Sequence, residues 1–467
     1  MEPRENHRVA FTIITTLFFL WGFTTVNNDI LIPYYKQEFQ LNDTQSMLVN
    51  LAFFGSYGIW SLIYFLYSVL KGDPINKLGY KNGVVAGLLI SSFACFLYYP
   101  LIYTHNYYIC LVPLFILGMG FTLLQISCNP YVSILGPKET ASSRLNLAQG
   151  FNSLGTTIGP MIIGYLVLTY FTDQKAVQVP YAVLGAIFGI WAIFLFRTKL
   201  PDYRVKGAQR LPASALQFRH LVLGMIAVFF YVGAEVSIGS KLVEFLKLGE
   251  IAGLNNAIAP SFVGIYWGGA MIGRLTISLL SNHNLNLVKQ LIYGLLTSIA
   301  AFTFLLLAVT IAMRLDERGI AVSWQELTDT FKLISPILLF VGLQFVVMVL
   351  FRKSSRKLLV SFAFIAIALL IIAFIAKGIT AMWCVVALGL FNSIMWSNIF
   401  TLAIEDLNEY TSQGSSLLII MIAGGAILPL LMGWLSDHYD LITAYLLPII
   451  SYLYIAFFGS FGAKRQT

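Results

Sequence analysis

Charge is what this chain of 467 residues has least of: Asp, Glu, Lys and Arg together make up 11% of it, where a soluble domain carries about a quarter. A water-facing surface cannot be built from so few ionic groups, which excludes a soluble globular protein. Cysteine is also scarce. Cys95, Cys110, Cys128 and Cys384 all fall within apolar tracts without ligand-like spacing, so neither a disulfide nor a metal centre is implied. His7, His105, His220, His283 and His438 lie near span ends, none paired at metal spacing. There is no glycine-rich phosphate loop ending in Lys-Ser or Lys-Thr, which argues against ATP as the energy source. The expectation is a protein that is not an enzyme and carries no cofactor.

What the chain has instead is long apolar runs. It is 58% hydrophobic with mean hydropathy +0.79, and the runs reach the roughly 20 residues that a helix needs to cross the hydrocarbon core. Their length, and the Gly and Pro inside them, point to helices and not to a barrel. The fold class is all-α membrane protein. Apolar spans fall at about 9–35, 46–70, 82–103, 107–132, 146–171, 179–196, 220–243, 259–280, 287–313, 334–351, 358–376, 379–403, 414–435 and 441–461. No small-residue cleavage site follows the first of them, so it is read as a retained span and not a signal peptide.

An even number of spans puts both termini on one side. If that side is the cytoplasm, most of the 29 Lys and Arg lie there, which is the usual bias of membrane proteins. The net charge of +8 is thereby explained without nucleic acid. The expected location is the inner (plasma) membrane, multi-pass, with cytoplasmic N- and C-termini and the lipid bilayer as partner.

The basic stretch RTKLPDYRVKGAQRLPASALQFR, residues 197–219, divides the spans into halves. Gly155-x4-Pro160-x3-Gly164 in the first half has a counterpart in Gly424-x4-Pro429-x3-Gly433 in the second, which points to parallel repeats. The expected organisation is a six-helix N-terminal bundle over 1–196, a cytoplasmic linker over 197–219 and a C-terminal bundle over 220–467. The spans at 287–313 and 334–351 break that symmetry. They are read as an inserted hairpin, about 287–351, between which RLDERGIAVSWQELTDTFK (314–332) is long enough for a short outer helix. The total is 14 transmembrane helices.

Ionisable groups in mid-span are costly and are functional candidates by default. Asp29 stands in WGFTTVNNDILIPYY and Glu235 in FYVGAEVSIGS, each opening one half. Both are candidates for cation coupling. Lys241 follows, and a snorkelling or interface lysine near Glu244 is the preferred reading for it. Amides form a second group: Asn27, Asn28, Gln125, Asn129, Asn146, Gln149, Asn152, Asn392 and Asn398. Taken singly, each is as well explained as polar glue between helices. Together they suit a neutral polyhydroxylated ligand, with Trp21, Tyr57, Phe151, Trp267 and Trp396 as platforms for the C–H face of a sugar.

FFLWGFTTVNNDILIPYY, CNPYVSILGPKETASSRLNLAQGFNSLGTTIGP, FYVGAEVSIGS, GLFNSIMWSNIFTLAIEDL and GSSLLIIMIAGGAILPLLMGWLSD resemble the fucose permease and glucose/galactose branch of the major facilitator superfamily. KGDPINKLGYK (71–81) resembles, in degraded form, that superfamily's signature between the second and third spans. The resemblance implies a major facilitator fold of two six-helix bundles and a monomeric sugar–cation symporter working by alternating access. It implies that Asp29 handles the cation and touches the sugar, and that Trp21, Gln149, Asn152 and Trp396 line the sugar cavity. Gln125 stands where the fucose permease has a second acid, so a proton relay through two carboxylates in that form is not available. Gln125 and Glu235 look like the glucose/galactose members, some of which resemble sodium-coupled carriers. The coupling ion is left as proton or sodium, with any sodium site expected near Asp29. The substrate-binding set is Trp21, Asn28, Asp29, Gln125, Asn129, Gln149, Asn152, Trp267, Asn392 and Trp396. An uncoupled sugar facilitator and a non-transporting sugar sensor on a transporter fold are the alternatives.

Overall fold

The computed structural model describes residues 4–72, 74–135, 141–171, 174–201, 214–281, 285–314, 322–407 and 410–463. The first span is two helices, α1 (Arg4–Thr25) and α2 (Asn27–Glu38). There follow α3 (Leu48–Lys71), α4 (Tyr80–Leu101), α5 (Tyr107–Ile134), α6 (Ala141–Tyr165) and α7 (Lys175–Arg197). After the linker come α8 (Arg219–Lys247), α9 (Ala259–Leu280), α10 (Leu287–Ala312), α11 (Trp324–Ile334) and α12 (Ile337–Phe351). The chain ends with α13 (Ser355–Ala376), α14 (Gly378–Asn392), α15 (Met395–Ile404), α16 (Thr411–Ile420), α17 (Gly424–His438) and α18 (Leu447–Phe457). Among the described residues 13 helical stretches are long and apolar enough to cross a membrane, or 14 if α11 and α12 count as one span. Fourteen crossings leave both ends of the chain on one face, called the terminal face below; the other is the far face.

The two halves pack by the same scheme. In the first, α1 lies on α6, α3 on α5, and α4 on both α5 and α7. In the second, α8 lies on α17, α9 on α14, and α13 on both α14 and α18. Apolar burial cannot drive one helix onto another inside lipid, so close backbone approach decides which pairs form. Gly155 and Gly424 mark two of these approaches. A Cβ at Gly155 would collide with the Phe19 carbonyl of α1, and one at Gly424 with the Phe229 carbonyl of α8. The glycines picked out by the repeated motif therefore seat matching helix pairs.

The segment between α9 and α13 stands outside this scheme. Helix α10 packs on α9, and α12 packs on α14, α9 and α13. With 15 residues, α12 is only about 22 Å long, short of the roughly 30 Å of hydrocarbon. The remaining length comes from α11, which starts at a capping box between Ser323 and Glu326 and meets α12 at 62°. The bend falls at Ser335-Pro336, where proline cannot continue the helical hydrogen bonding. The span expected at 334–351 is thus one arm of a bent pair, and the short outer helix expected within 314–332 is the other, begun at Trp324.

The halves meet along α6 with α9, α3 with α16 and α17, and α2 with α8. At the far face these contacts are tied by charge. Lys241 of α8 is fully buried and lies 2.9 Å from both Glu244 and Asp43. Lys36 of α2 binds Asp43 and, at 3.2 Å, Glu244. Asp437 of α17 accepts from the backbone N–H of Asp43 (2.6 Å) and of Thr44 (2.7 Å), and Ser436 donates to Asp43. Lys241 does not snorkel: it is shared by a carboxylate of each half, in the ion-paired form that a buried lysine needs. This closes the far face.

Two outcomes are expected. Gly424→Leu removes monodisperse detergent-solubilised protein, whereas Gly342→Ala, with open space around it, leaves the size-exclusion profile unchanged. Lys241→Met opens the far face, because breaking a buried pair on one side costs about 3–5 kcal/mol. Labelling of Val236→Cys by an impermeant maleimide applied at that face, with the native cysteines replaced, should quicken by about tenfold or more.

Candidate functional site

The first span bends where its sequence turns polar. The hydroxyls of Thr24 and Thr25 bond back to the carbonyls of Leu20 (2.8 Å) and Trp21 (2.9 Å), a habit that bends helices. The regular helix is interrupted at Val26, and α2 restarts at Asn27. Asp29 lies in the first turn of α2, the end of a helix that favours an anion. Its carboxylate is buried and crosses to the other half. Oδ1 accepts from the Ser240 hydroxyl of α8 at 2.9 Å, and Oδ2 accepts from the Trp267 indole N–H of α9 at 3.1 Å. Asn50 of α3 donates in turn to Ser240 Oγ at 2.8 Å. None of the ion pairs among the described residues involves Asp29; Ser240 and Trp267 are both neutral donors.

Beside this carboxylate, on its terminal side, lies a cavity between the halves. About 830 Å³ of empty space, open solvent at the mouth included, lies within this cleft. The first half contributes Trp21, Thr25, Tyr57, Gln125, Asn129, Gln149 and Asn152 to its wall. Gln149 and Asn152 share a face of α6 as their spacing requires. Asn152 Nδ2 is tied to the Phe18 carbonyl at 3.1 Å, and Tyr57 lines the same wall as Gln125, Trp21 and Thr25. The second half contributes Tyr231, Glu235, Trp267, Arg274 and Trp396. Asn129, Gln149, Arg274 and Trp396 are partly exposed while Asp29 is 4% exposed, so solvent reaches the cavity from the terminal face and stops short of the carboxylate.

Glu235 sits in surroundings unlike those of Asp29. Tyr231 OH donates to its Oε1 at 2.6 Å, and Arg274 comes within 3.9 Å of the same oxygen. Arg274 also donates to Ser153 Oγ of α6 (2.6 Å) and to the Ser393 carbonyl between α14 and α15 (3.1 Å). This arginine bridges the halves at the cavity wall, a role that its sequence pattern alone does not disclose. A signal is there: AMIGRLTI (270–277) places it in the body of an apolar span, yet its nearness to the terminal end of α9 lets it pass for a flanking positive charge.

Not every expected residue reaches the wall. Asp29 itself stands one layer behind it, screened by Trp267. Asn28 is 2% exposed and off the wall. Asn392 is held inside the second bundle, donating to Tyr266 OH (3.0 Å) and accepting from Tyr452 OH (2.8 Å). Phe151 is exposed and off this wall, Asn398 donates to the Ser355 carbonyl near the terminal face, and the Asn146 side chain lies outside the described residues.

Comparison with known proteins gives this architecture a place. The family model of the Major Facilitator Superfamily matches residues 12–323. The chain is 40% identical over 472 residues to a glucose/galactose transporter of Brucella abortus, covering 99% of this chain and 96% of the relative. It is 27% identical over 493 residues to the L-fucose-proton symporter of Escherichia coli, covering 99% and 95%. A crystal structure of the fucose:proton symporter of that bacterium, carrying a point substitution, matches with a TM-score of 0.66 at 26% identity, over 99% of this chain and 100% of the other. With a helical bundle pair around a central cavity and a family model matched over most of its length, this chain belongs to the major facilitator superfamily.

Proposed function

We propose that the protein imports a hexose, glucose- or galactose-like or fucose, by symport with a cation, through alternating access of the central cavity. The observation that carries this reading is Trp267. Its ring forms part of the cavity wall while its N–H is bonded to the buried carboxylate of Asp29, so one side chain touches both the space for the sugar and the coupling group. The wall also suits a polyhydroxylated ligand: amides of Gln125, Gln149 and Asn152 offer donors and acceptors, Glu235 and Arg274 add charge-assisted ones, and Trp21 and Trp396 supply apolar faces. The names of the relatives, a glucose/galactose transporter and an L-fucose-proton symporter, support the same substrate class.

Asp29 is the better coupling group of the two acids. Glu235 faces Arg274, a partner that favours its charged form. Asp29 is held by neutral donors, and a carboxyl in that setting is suited to gaining and losing a proton as access alternates. An N–H occupies one of its oxygens, which suits a proton better than a hard cation that needs several oxygen ligands. One feature favours sodium: both polar atoms of the Asn27 side chain, in the break just before Asp29, are buried without a hydrogen-bond partner among the described residues. In the orientation set by the positive charges the terminal face is cytoplasmic, and this conformation is closed to the outside.

Uptake into proteoliposomes, with a panel of sugars and separate proton and sodium gradients, is the test. Concentrative uptake of a hexose driven by a proton gradient is expected; uptake that ignores both gradients means a facilitator, and absence of counterflow means a sensor. Asp29→Asn should abolish accumulation while counterflow persists, and unchanged accumulation would remove Asp29 from the coupling role. Trp267→Phe keeps a ring in the wall and deletes the donor, so accumulation should fall by about tenfold with counterflow within about twofold of the parent.

A further inference from the structure

The segment inserted between α9 and α13 reaches the site through one side chain. Gln344 lies in the middle of α12 and is 1% exposed. Its Nε2 donates to the Leu390 carbonyl at 2.5 Å and to Ser393 Oγ at 3.2 Å. Leu390 is in the last turn of α14, just before the helix is interrupted at Ser393-Ile394 and restarts as α15 at Met395. Among the described backbone groups that carbonyl has only a long contact with the Ser393 N–H, at 3.4 Å. A helix broken at membrane depth leaves backbone groups that water cannot reach, and they must be satisfied from a neighbouring helix. Gln344 does this.

The same break serves the cavity. The Ser393 carbonyl accepts from Arg274 Nε at 3.1 Å, the Asn392 carbonyl lies 3.2 Å from Tyr231 OH, and Trp396, one residue into α15, lines the wall. Gly273, next to Arg274, has no room for a Cβ because Ser393 Oγ and Gln344 Nε2 stand there. Gly273, Arg274, Ser393 and Gln344 thus form one packed cluster, with a member from the inserted hairpin.

We propose that Gln344 is a positioning residue for the ligand site: the inserted hairpin, through this amide, holds the α14–α15 break in the shape that aims Arg274 and Trp396 into the cavity. The hairpin is a supporting wall of the site. This rests on the sugar-transport reading for its kinetic test, though not for its structural one. Gln344→Met in the full chain keeps the length and apolar packing and deletes the donor. The expected result is a KM for the transported hexose raised by about tenfold with maximal rate within about twofold, together with faster hydrogen exchange of backbone amides 393–396. Ser393→Ala, which removes only the longer of the two bonds, should give a smaller rise in KM. Thr276→Val breaks the 2.7 Å hydroxyl contact between α9 and α10 at Ser298 and controls for loss of hairpin docking; it should lower the melting temperature and leave KM unchanged. A Gln344→Met protein with parental KM and parental exchange at 393–396 overturns the proposal, as does a KM change matched by Thr276→Val. If Gln344→Met fails to fold, Ser393→Ala decides by the same two readouts. If the parent protein transports no hexose, the functional reading fails, and the exchange measurement alone still decides whether Gln344 holds the break.

Discussion

Asp29 belongs to a span of the first bundle, yet two side chains that hold its carboxylate, Ser240 and Trp267, belong to the second. A buried carboxylate needs such donors or water wherever it sits, so separating the bundles on this side takes both protein donors away from it. That constraint links the state of one group to the closure of a face. The bend of the first span, made by Thr24 and Thr25 bonding back on the helix, brings Asp29 to the crossing point; Asn50 extends the hydrogen bonds into α3.

Around this centre the electrostatics fall into layers. At the far face, four ionic side chains and Asp437 tie the halves together, with buried Lys241 as the shared cation. In the cavity, Glu235 and Arg274 form a second cross-bundle link through Ser153. Between them lies Asp29, with neutral partners on its carboxylate. An adjacent cation favours the charged form of a carboxylate, whereas neutral donors bring no compensating charge. The two acids of the cavity region thus differ in their partners: Arg274 and Tyr231 for Glu235, Ser240 and Trp267 for Asp29.

Two helix breaks lie beside the cavity. At the first span the hydroxyls of Thr24 and Thr25 bond back on the helix just before the interruption, and at Ser393 the Gln344 amide of α12 satisfies the Leu390 carbonyl. Breaks at membrane depth are tolerated where protein or a water-lined cavity covers them, and these two are, whereas Pro336 at the α11–α12 bend is exposed.

Much of this was legible in the sequence. The scarcity of charge and the length of the apolar runs dictate membrane helices, because few polar groups can be hidden in lipid. The cost of an acid in mid-span singles out Asp29, and the repeated Gly-Pro-Gly motif marks two helix pairs that approach closely. Periodicity also sets Gln149 and Asn152 on one face. Other features were out of its reach. Nothing in the local pattern distinguishes Asn392, absorbed by two tyrosines inside a bundle, from Asn152, which lines the cavity; Arg274 reads as a flanking charge until α6 and Ser393 are brought against it; and Lys241 reads as a lysine near a surface until Asp43, distant in the chain, is found beside it. The sequence determines which groups are costly to bury, since that depends on each side chain and its span alone. Tertiary structure decides which partners satisfy them, since those partners come from helices far apart in the chain and the crossing angles are set by packing across the whole interface.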